Sequence, residues 1–505
     1  MGMTLSLSRW LLPPFIVVAG ALFSWRLLNI PSRLETAAVL IAFFLVPTLK
    51  YPRFGVYYIF SISFFIPLFR RMYYLVADRP ALDYLMLISD GVMAGLVLAL
   101  ALLWMVNKER TRGAMPGLVI AYTTLLFVKV FVGQEGSILD GLYGFKFHGL
   151  YVMFFFAGSY LITSAGETRR LMGVVSWILL ATALYGVKQI LIGFTAFEQK
   201  WIDSITFTTL YIEGVVRPFS TYVSPATLSD GMTILILAGA YWIFVRGKHT
   251  SLFGLLLIAS AIWPLLIASV RTSWLATLAG LLFHGVFLRI RRGWGKGIIL
   301  GALAAVVLLV AVRGGSGSGD SQTAALSTHM ARKDRNLKDI MIRNRTQALA
   351  NPLQEYSMQK RIQTWSYIWA KSVEHPFGSG QGTTGYAHSF YFQLLGETGF
   401  AGVLLFGTLL FLAVRNAFRV IRQGRDPEVV ELTRLMLSLV FTISILNLTG
   451  THLHTPPGDL FFWFSLGCIH RFHRNLQEDL KAGRPGPPAA TAPAHAGAAA
   501  SGSSP

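Results

Sequence analysis

The sequence is poor in cysteine and in charged residues. Its 505 residues include a single cysteine, Cys468, so an intrachain disulfide and a cysteine-based metal centre are both excluded. Only 13% of the residues are charged, whereas 53% are hydrophobic, and the mean hydropathy is +0.54. A soluble domain could not bury so much apolar surface, and soluble cores lack such long apolar runs. The sequence therefore predicts a membrane protein.

Acidic residues are also scarce, with 24 Asp and Glu against 44 Lys and Arg, a formal net charge of +20. In a soluble protein this excess would suggest a nucleic-acid partner. Here much of it falls in short turns between apolar segments, where the preference for positive cytoplasmic loops accounts for it. Because no nucleic-acid motif is present, we predict no nucleic-acid partner.

Apolar segments recur along the chain at lengths close to the roughly 20 residues that cross a bilayer. The first resembles a signal peptide, but no small-residue cleavage site follows, so we interpret it as an anchor. We predict an all-α polytopic membrane protein with about 12–14 transmembrane helices. The fourteen candidate segments are 10–25, 36–49, 54–69, 84–106, 116–132, 149–165, 172–193, 232–245, 252–270, 275–288, 298–312, 389–414, 432–451 and 459–472.

Loop charges give the orientation. With the N-terminus inside, every second turn lies inside and carries Lys or Arg, beginning with the turn at Lys50. Outer turns are poorer, and the segment 452–459 contains neither Lys nor Arg. One outer turn disagrees with this alternation because it contains Arg70, Arg71 and Arg79.

This topology divides the chain into three groups of transmembrane helices, two long outer loops and a tail. The second loop carries ten Lys or Arg against five Asp or Glu, and it includes a predicted amphipathic helix at 353–373. The Pro-, Ala- and Gly-rich tail is predicted to be disordered. The boundaries are 1–193 for the N-terminal helices, 194–231 for the first loop, 232–312 for the central helices, 313–387 for the second loop, 388–474 for the C-terminal helices and 475–505 for the tail.

Three polar segments fall on the outer side, and each carries one side chain suited to chemistry. They are 217–221 with Arg217, 269–273 with Arg271, and 387–391 with His388. A guanidinium fits phosphate oxygens in a bidentate manner, and a histidine can act as a base near neutral pH. Three structural alternatives stay open: a snorkelling Arg271, a solvated Arg217 and a purely structural His388.

Four ionisable residues interrupt apolar segments in the outer half of the predicted membrane: Asp90, Lys129, Lys188 and Glu397. Ionisable groups at membrane depth commonly line water-filled cavities. Their grouping suggests a cavity that opens outward. An Asp90–Lys129 ion pair within the bundle is the structural alternative, since the two residues lie at matching depth on consecutive segments.

Several of these residues form motifs that resemble the O-antigen ligase and O-antigen polymerase superfamily. The motifs are an Arg and a Trp on one helix (Arg361 and Trp365), a Pro-x-x-Gly-x-Gly-like turn at 376–380, a histidine heading a span (His388), and Glu-x-Gly-x-x-Gly at 397–402. The segments at Arg217 and Arg271 are also similar. The resemblance covers about residues 217–412, although the superfamily often has Asn where this chain has Ser389.

The resemblance implies a metal-independent, inverting glycosyltransferase with a GT-C-like fold and no cofactor. Its donor would be a glycan on undecaprenyl diphosphate at the periplasmic face of the bacterial inner membrane. Arg217 and Arg271 would hold the diphosphate, and His388 would position or deprotonate the acceptor. Arg361 and Glu397 are further candidates for substrate binding, and a chain-length regulator is a candidate partner.

The shared motifs leave the acceptor open. The long outer loops and the span count favour a polymerase of O-antigen, capsule or exopolysaccharide over a ligase that transfers glycan to lipid A core or to protein. A transporter or flippase that uses the four intramembrane charges is an alternative of another class. A peptidoglycan-type polymerase and a scaffold are the remaining alternatives, and a scaffold would tolerate alanine at Arg271 and His388.

Overall fold

A computed structural model describes residues 33–76, 84–106, 113–132, 137–204, 210–212, 215–245, 248–289 and 356–482. These parts of the chain are mostly helical. The α-helices of four residues or more are α1 Arg33–Lys50, α2 Pro52–Ile62, α3 Ile66–Val76, α4 Tyr84–Val106, α5 Ala114–Phe131, α6 Ile138–His148, α7 Ala165–Leu191, α8 Ala196–Ser204, α9 Pro225–Phe244, α10 Lys248–Ile267, α11 Arg271–Gly285, α12 Tyr356–Glu374, α13 Phe390–Gln423, α14 Pro427–Leu446 and α15 Gly458–Lys481.

Seven helices in the described ranges are long and apolar enough to cross a membrane: α4, α5, α7, α9, α10, α13 and α14. The pair α2 and α3, bent by 58° at its break, gives an eighth if it is one span. The fold is therefore that of a helical polytopic membrane protein. The predicted spans 10–25 and 298–312 lie outside the described residues, as does most of the second outer loop, so the total of 12–14 spans stays a prediction.

The predicted span at 149–165 is not a straight helix. It consists of a 3-10 turn (Tyr151–Met153), one α turn (Phe154–Phe156) and a π turn (Ala157–Leu161). Glycines bring this segment against α15, where the Ser159 hydroxyl donates to the Gly467 carbonyl at 3.1 Å. Hydropathy alone could not reveal this irregular winding because the composition is as apolar as that of a regular helix.

The core of the described bundle lies around α9, α14 and the first half of α15. In the apolar windows of α9 and α14, 89% and 72% of residues are buried, against 39% in α4 and α5. Large apolar side chains remain exposed on the peripheral helices, including Trp104, Phe127, Trp177 and Leu404. Such an outward-facing apolar surface fits contact with lipid.

Helix α9 begins earlier than the sequence predicts. Its first turn has a capping box, in which the side chains of Ser224 and Thr227 each bond to the other residue's backbone N–H, and Pro225 occupies the first turn. The residues between Pro225 and Gly231 are therefore helical, whereas the sequence placed them in the first outer loop. The rest of that loop contains α8 and two short antiparallel strands, β1 (Tyr211–Ile212) and β2 (Val215–Val216).

Helix α12 confirms the helix predicted at 353–373, whose predicted apolar face is Ile362, Trp365, Trp369 and Val373, but only part of that face is covered. Ile362, Trp369 and Val373, three residues of the predicted apolar face, are largely exposed. Trp365 contacts α13 by stacking on Phe392, with centroids 5.2 Å apart, and Trp369 contacts it edge-on at Phe400. The buried Ile368, which is not part of the predicted face, completes the covered side. The helical period was right, but only the neighbouring helix determined which side is covered.

Candidate functional site

The Arg217 side chain is buried rather than solvated. Residue 217 follows β2, and its backbone N–H donates to the Leu210 carbonyl at 2.9 Å. The guanidinium Nη1 donates to the Ala268 carbonyl at 3.0 Å, across 51 residues of sequence. Ala268 belongs to the tight turn between α10 and α11. Arg217 thus ties the first outer loop to the turn that carries Arg271.

Arg271 is the first residue of α11 and is half-buried. The turn before it contains Ser269 in the left-handed region, with φ of 57°. The N-cap residue, Val270, has no side chain able to cap the helix. The start of a helix presents backbone N–H groups and a partial positive charge, so this position favours an anion over a lone cation. The arginine and the helix terminus together suit a phosphate group.

Arg71 belongs to the outer turn that disagrees with the alternation of loop charges, and its contacts explain why an arginine lies there. It is 1% exposed and donates from Nη1 to the Tyr222 carbonyl at 2.6 Å and from Nη2 to the Ser220 carbonyl at 2.5 Å. Its guanidinium carbon lies 4.6 Å from the centre of the Phe219 ring. This arginine therefore holds the loop that follows Arg217, rather than setting membrane orientation.

A second set of side chains holds the same loop from α7 and α8. The Gln189 amide oxygen accepts from the backbone N–H of Ser220 at 2.7 Å, while its nitrogen donates to Glu198. Burial alone would raise the pKa of the Glu198 carboxyl, but hydrogen bonds from Thr195 and Gln189 and the charge of Lys188 lower it on balance. The loop is thus fixed by a charged, fully bonded carboxylate.

His388 lies just before α13 in a left-handed conformation, with φ of 54°. Its ring packs edge-on against Tyr386, with centroids 4.4 Å apart. Partial burial lowers the pKa of His388, and the positive charge of Arg361 lowers it further. Arg361 lies one turn before Trp365 on α12, and the Trp365 indole donates to the Ala387 carbonyl at 2.9 Å. The structure therefore places Arg361 beside His388.

The turn after α14 joins the three segments. The Phe390 N–H donates to the carbonyls of Asn447 at 3.1 Å and Gly450 at 2.9 Å, which fixes the residues that follow His388. On the other side, the hydroxyls of Thr449 and Thr272 are 2.5 Å apart. Since Thr272 follows Arg271, and the Arg271 turn accepts from Arg217, all three predicted segments belong to one connected group. We call residues 447–450 the joining turn.

Glu397 does not belong to this group. It is 1% exposed within α13, and its carboxylate accepts from the Gln393 amide at 3.0 Å and the Gly382 N–H at 3.3 Å. Its second oxygen lies 3.7 Å from Nδ1 of the buried His148. These contacts give Glu397 a packing role beneath the turn at 376–382, which we call the glycine-rich turn. The predicted contact of Glu397 with substrate stays a prediction.

Three other intramembrane charges have local partners. The Asp90–Lys129 ion pair that the sequence offered as a structural alternative is wrong, because Asp90 binds Lys146 on α6 at 2.6 Å. Lys129 instead faces the Gly378 carbonyl at 3.5 Å. Lys188 pairs with Glu198 at 3.2 Å. The sequence suggested the wrong partner because Lys146 lies on a helix that only folding brings beside Asp90.

Sequence reasoning missed a buried set of polar residues next to the joining turn. The His452 ring nitrogen Nδ1 lies 2.6 Å from the Asp230 carboxylate. The rings of His148 and His454 are in contact, with centroids 3.7 Å apart and planes tilted by 37°. The available signal was two histidines, His452 and His454, in an outer turn without Lys or Arg, and a lone Asp230 in an apolar helix. Within the described ranges, no group of three or more His, Cys, Asp or Glu is arranged to hold a metal ion.

Neither a protein-family profile nor a curated protein sequence matches the chain. The class that the fold defines is a helical polytopic membrane protein, with a connected group of polar residues at one end of its helices. Any narrower assignment depends on the site residues themselves.

Proposed function

We propose that the protein is a metal-independent, inverting glycosyltransferase of the periplasmic face of the bacterial inner membrane. Its donor is a glycan on undecaprenyl diphosphate, and its product is a longer O-antigen, capsule or exopolysaccharide chain. The observation that carries the proposal is the set of hydrogen bonds that connects the three segments. The joining turn bonds to the segments of Arg271 and His388, and Arg217 bonds to the turn before Arg271. These are the three side chains that the motifs assign to phosphate binding and acceptor handling.

The positive end of the site suits the leaving group. When the bond between the sugar and the lipid diphosphate breaks, the electron pair stays with the diphosphate. Arg271 and the first turn of α11 supply fixed positive charge and N–H donors for it. Arg217 is held against the same turn through Ala268. Fixed donors stabilise developing charge without needing to reorganise during the reaction.

The acceptor end of the site is formed by His388 and Arg361. The acceptor hydroxyl oxygen bonds to the anomeric carbon as the carbon–phosphate oxygen bond breaks, and its proton must leave. An imidazole at this place either receives that proton or orients the hydroxyl. Because the pKa of His388 is lowered, its ring is neutral at neutral pH and is able to accept a hydrogen bond.

The pairing of the intramembrane charges favours an enzyme over a transporter. A proton or substrate path requires ionisable groups that line an accessible route. Asp90 and Lys188 instead pair locally with Lys146 and Glu198, and Glu397 is enclosed. These contacts give Asp90, Lys188 and Glu397 a structural role that requires no transport path.

The test is the glycan profile of a strain that lacks the gene, complemented with wild type, Arg271→Ala or Arg53→Ala. Arg53 is a matched control, because it is exposed and pairs with Glu167 at a distant surface. We expect single-unit glycans in the deletion strain and long chains restored by wild type and Arg53→Ala. Arg271→Ala should restore less than about one hundredth of them, as is usual when a fixed charge-stabilising donor is lost.

Other profiles have distinct meanings. Long lipid-linked chains that never reach lipid A or protein would identify a ligase instead of a polymerase. Full rescue by Arg271→Ala would remove the arginine from the mechanism. An unchanged profile in the deletion strain would contradict a glycan-transfer role altogether.

A further inference from the structure

The turn between α14 and α15 carries an aspartate–histidine pair to which the motifs assign no role. Nδ1 of His452 lies 2.6 Å from a carboxylate oxygen of Asp230. Asp230 is buried in α9, where its side chain is 2% exposed, while the His452 side chain is 10% exposed. The two residues are 222 positions apart. Their contact is therefore a product of the tertiary fold.

The pair lies next to the proposed acceptor end. His388 is two residues before Phe390, and His452 is two residues after Gly450, so the two histidines flank the hydrogen bond from the Phe390 N–H to the Gly450 carbonyl. The preceding residue, Thr449, contacts Thr272 beside Arg271. His452 is thus attached to the same joining turn as the other three side chains of the site.

The geometry of the pair is that of an oriented base. A carboxylate at Nδ1 holds the proton on that nitrogen and leaves Nε2 with its lone pair. Nε2 lies beside Gly450 of the joining turn, at the place that a Cβ on residue 450 would occupy. A buried carboxylate also stabilises the imidazolium that forms when Nε2 takes a proton.

Other titratable groups around His452 come from three elements. Asp459 on α15 is buried and interacts electrostatically with Asp230. His454 lies in the same turn as His452, and His148 on α6 contacts it. Burial, followed by the charges of His148 and His452, lowers the pKa of His454 well below its ordinary value, so that ring stays neutral. The Asp230 carboxylate is then the charged group in direct contact with His452.

We propose that His452, oriented by Asp230, accepts the proton of the acceptor hydroxyl, and that His388 positions the acceptor. The inference rests on the proposed glycosyltransferase function. The acceptor oxygen bonds to the anomeric carbon, the sugar–phosphate bond breaks, the lipid diphosphate leaves with the electron pair, and the proton moves to Nε2. Burial and the positive charge of Arg361 lower the pKa of His388, which weakens it as a base.

The experiment measures glycan transfer between lipid-linked repeat units by the full-length protein in nanodiscs across pH. We expect His452→Gln to lower kcat by about 100-fold or more with KM within about threefold, and to remove the fall in rate on acidification. Asp230→Asn should lower kcat by about 10- to 100-fold and move that fall to lower pH, because the imidazolium loses its carboxylate. His388→Gln should raise KM and retain the fall.

Three results would overturn the inference while leaving the proposed function standing. The first is a His452→Gln transfer rate within threefold of wild type. The second is a His452→Gln rate that still falls when the pH is lowered. The third is loss of that pH dependence in His388→Gln alone. If His452→Gln is not monodisperse, the Asp230→Asn variant provides the test. A transfer rate that falls at the same pH as in wild type would then reject a role for the Asp230–His452 pair. Wild-type protein that transfers no glycan contradicts the proposed function itself.

Discussion

At the scale of single residues, burial decides what an arginine does. The sequence places Arg217 in an outer loop, with a solvated side chain as the structural alternative, and Arg71 in an anomalous turn. Both side chains are buried against backbone carbonyls. A buried guanidinium is tolerated only where its donors are used. Backbone carbonyls exposed by a tight loop supply the acceptors, and this requirement links the arginines to one loop.

Replacing Arg71 should therefore loosen the Arg217 loop. Arg71→Ala leaves the carbonyls of Ser220 and Tyr222 without their donor, at a cost of about 2–4 kcal/mol for the two. Arg71→Lys should recover only part of this lost stability, because one ammonium group cannot reproduce the two donors of the planar guanidinium. The measurement is thermal unfolding in detergent, with the exposed Arg53→Ala as control. A melting temperature equal to that of the control would show that the loop is held by other contacts.

At the scale of elements, the break in α13 organises the glycine-rich turn. Gly399 has φ of 69° and ψ of −165° inside an otherwise continuous helix. The Phe400 N–H donates to the Pro376 carbonyl at 3.0 Å, and the Gly380 N–H donates to the Glu397 carbonyl at 3.0 Å. Backbone N–H and C=O groups that lose their helical partners at the break thus form hydrogen bonds with the turn instead. The Glu-x-Gly-x-x-Gly motif has a structural reason that is independent of substrate.

Alanine at this break should separate the two elements. A Cβ at Gly399 would overlap the Pro376 carbonyl oxygen and neighbouring backbone, in addition to about 1–3 kcal/mol of backbone strain in a conformation that essentially only glycine adopts. Gly407→Ala is the matched control, since it lies on the same helix with no atom within 4 Å of an added Cβ. We expect Gly399→Ala to lower the melting temperature and glycan transfer.

The control should be neutral or stabilising by up to about 1 kcal/mol, because alanine favours a helix interior over glycine. Equal melting temperatures for the two variants would mean that the backbone relaxes around residue 399. In that case the close contact between the break in α13 and the glycine-rich turn would not contribute to stability.

At the scale of the whole molecule, the proposed mechanism requires α12 and the joining turn on the outer side of the membrane. Glu374 at the end of α12 and Gln423 at the end of α13 are exposed, and the predicted topology places them on opposite sides of the membrane. The single cysteine, Cys468, is buried and should add little background. Cysteine labelling is therefore a direct test of orientation.

We expect Glu374→Cys to react with a membrane-impermeant maleimide in intact spheroplasts, and Gln423→Cys to react only after permeabilisation. Wild type, with Cys468 alone, is the control for background labelling. Labelling of both positions from the same side would contradict a single crossing by α13. Reversed labelling would place the site in the cytoplasm and remove a periplasmic donor from consideration.

The sequence by itself determined the membrane setting and the α12 helix, and its Glu-x-Gly-x-x-Gly motif contains the glycine at which α13 breaks. These features depend on local properties, namely the length of an apolar run, its helical period and the conformational freedom of glycine. The same local reasoning selected Arg217, Arg271 and His388 as residues that belong on one side.

Only the tertiary structure decided which side chains meet. The Asp90–Lys146 pair, the Arg71 contacts with the Arg217 loop and the Asp230–His452 pair join helices that are remote in sequence. In a bundle that is apolar almost throughout, hydropathy fixes that helices cross the membrane but not which neighbours they choose. Those choices follow from close packing at small residues and from the need of each buried polar group for a partner.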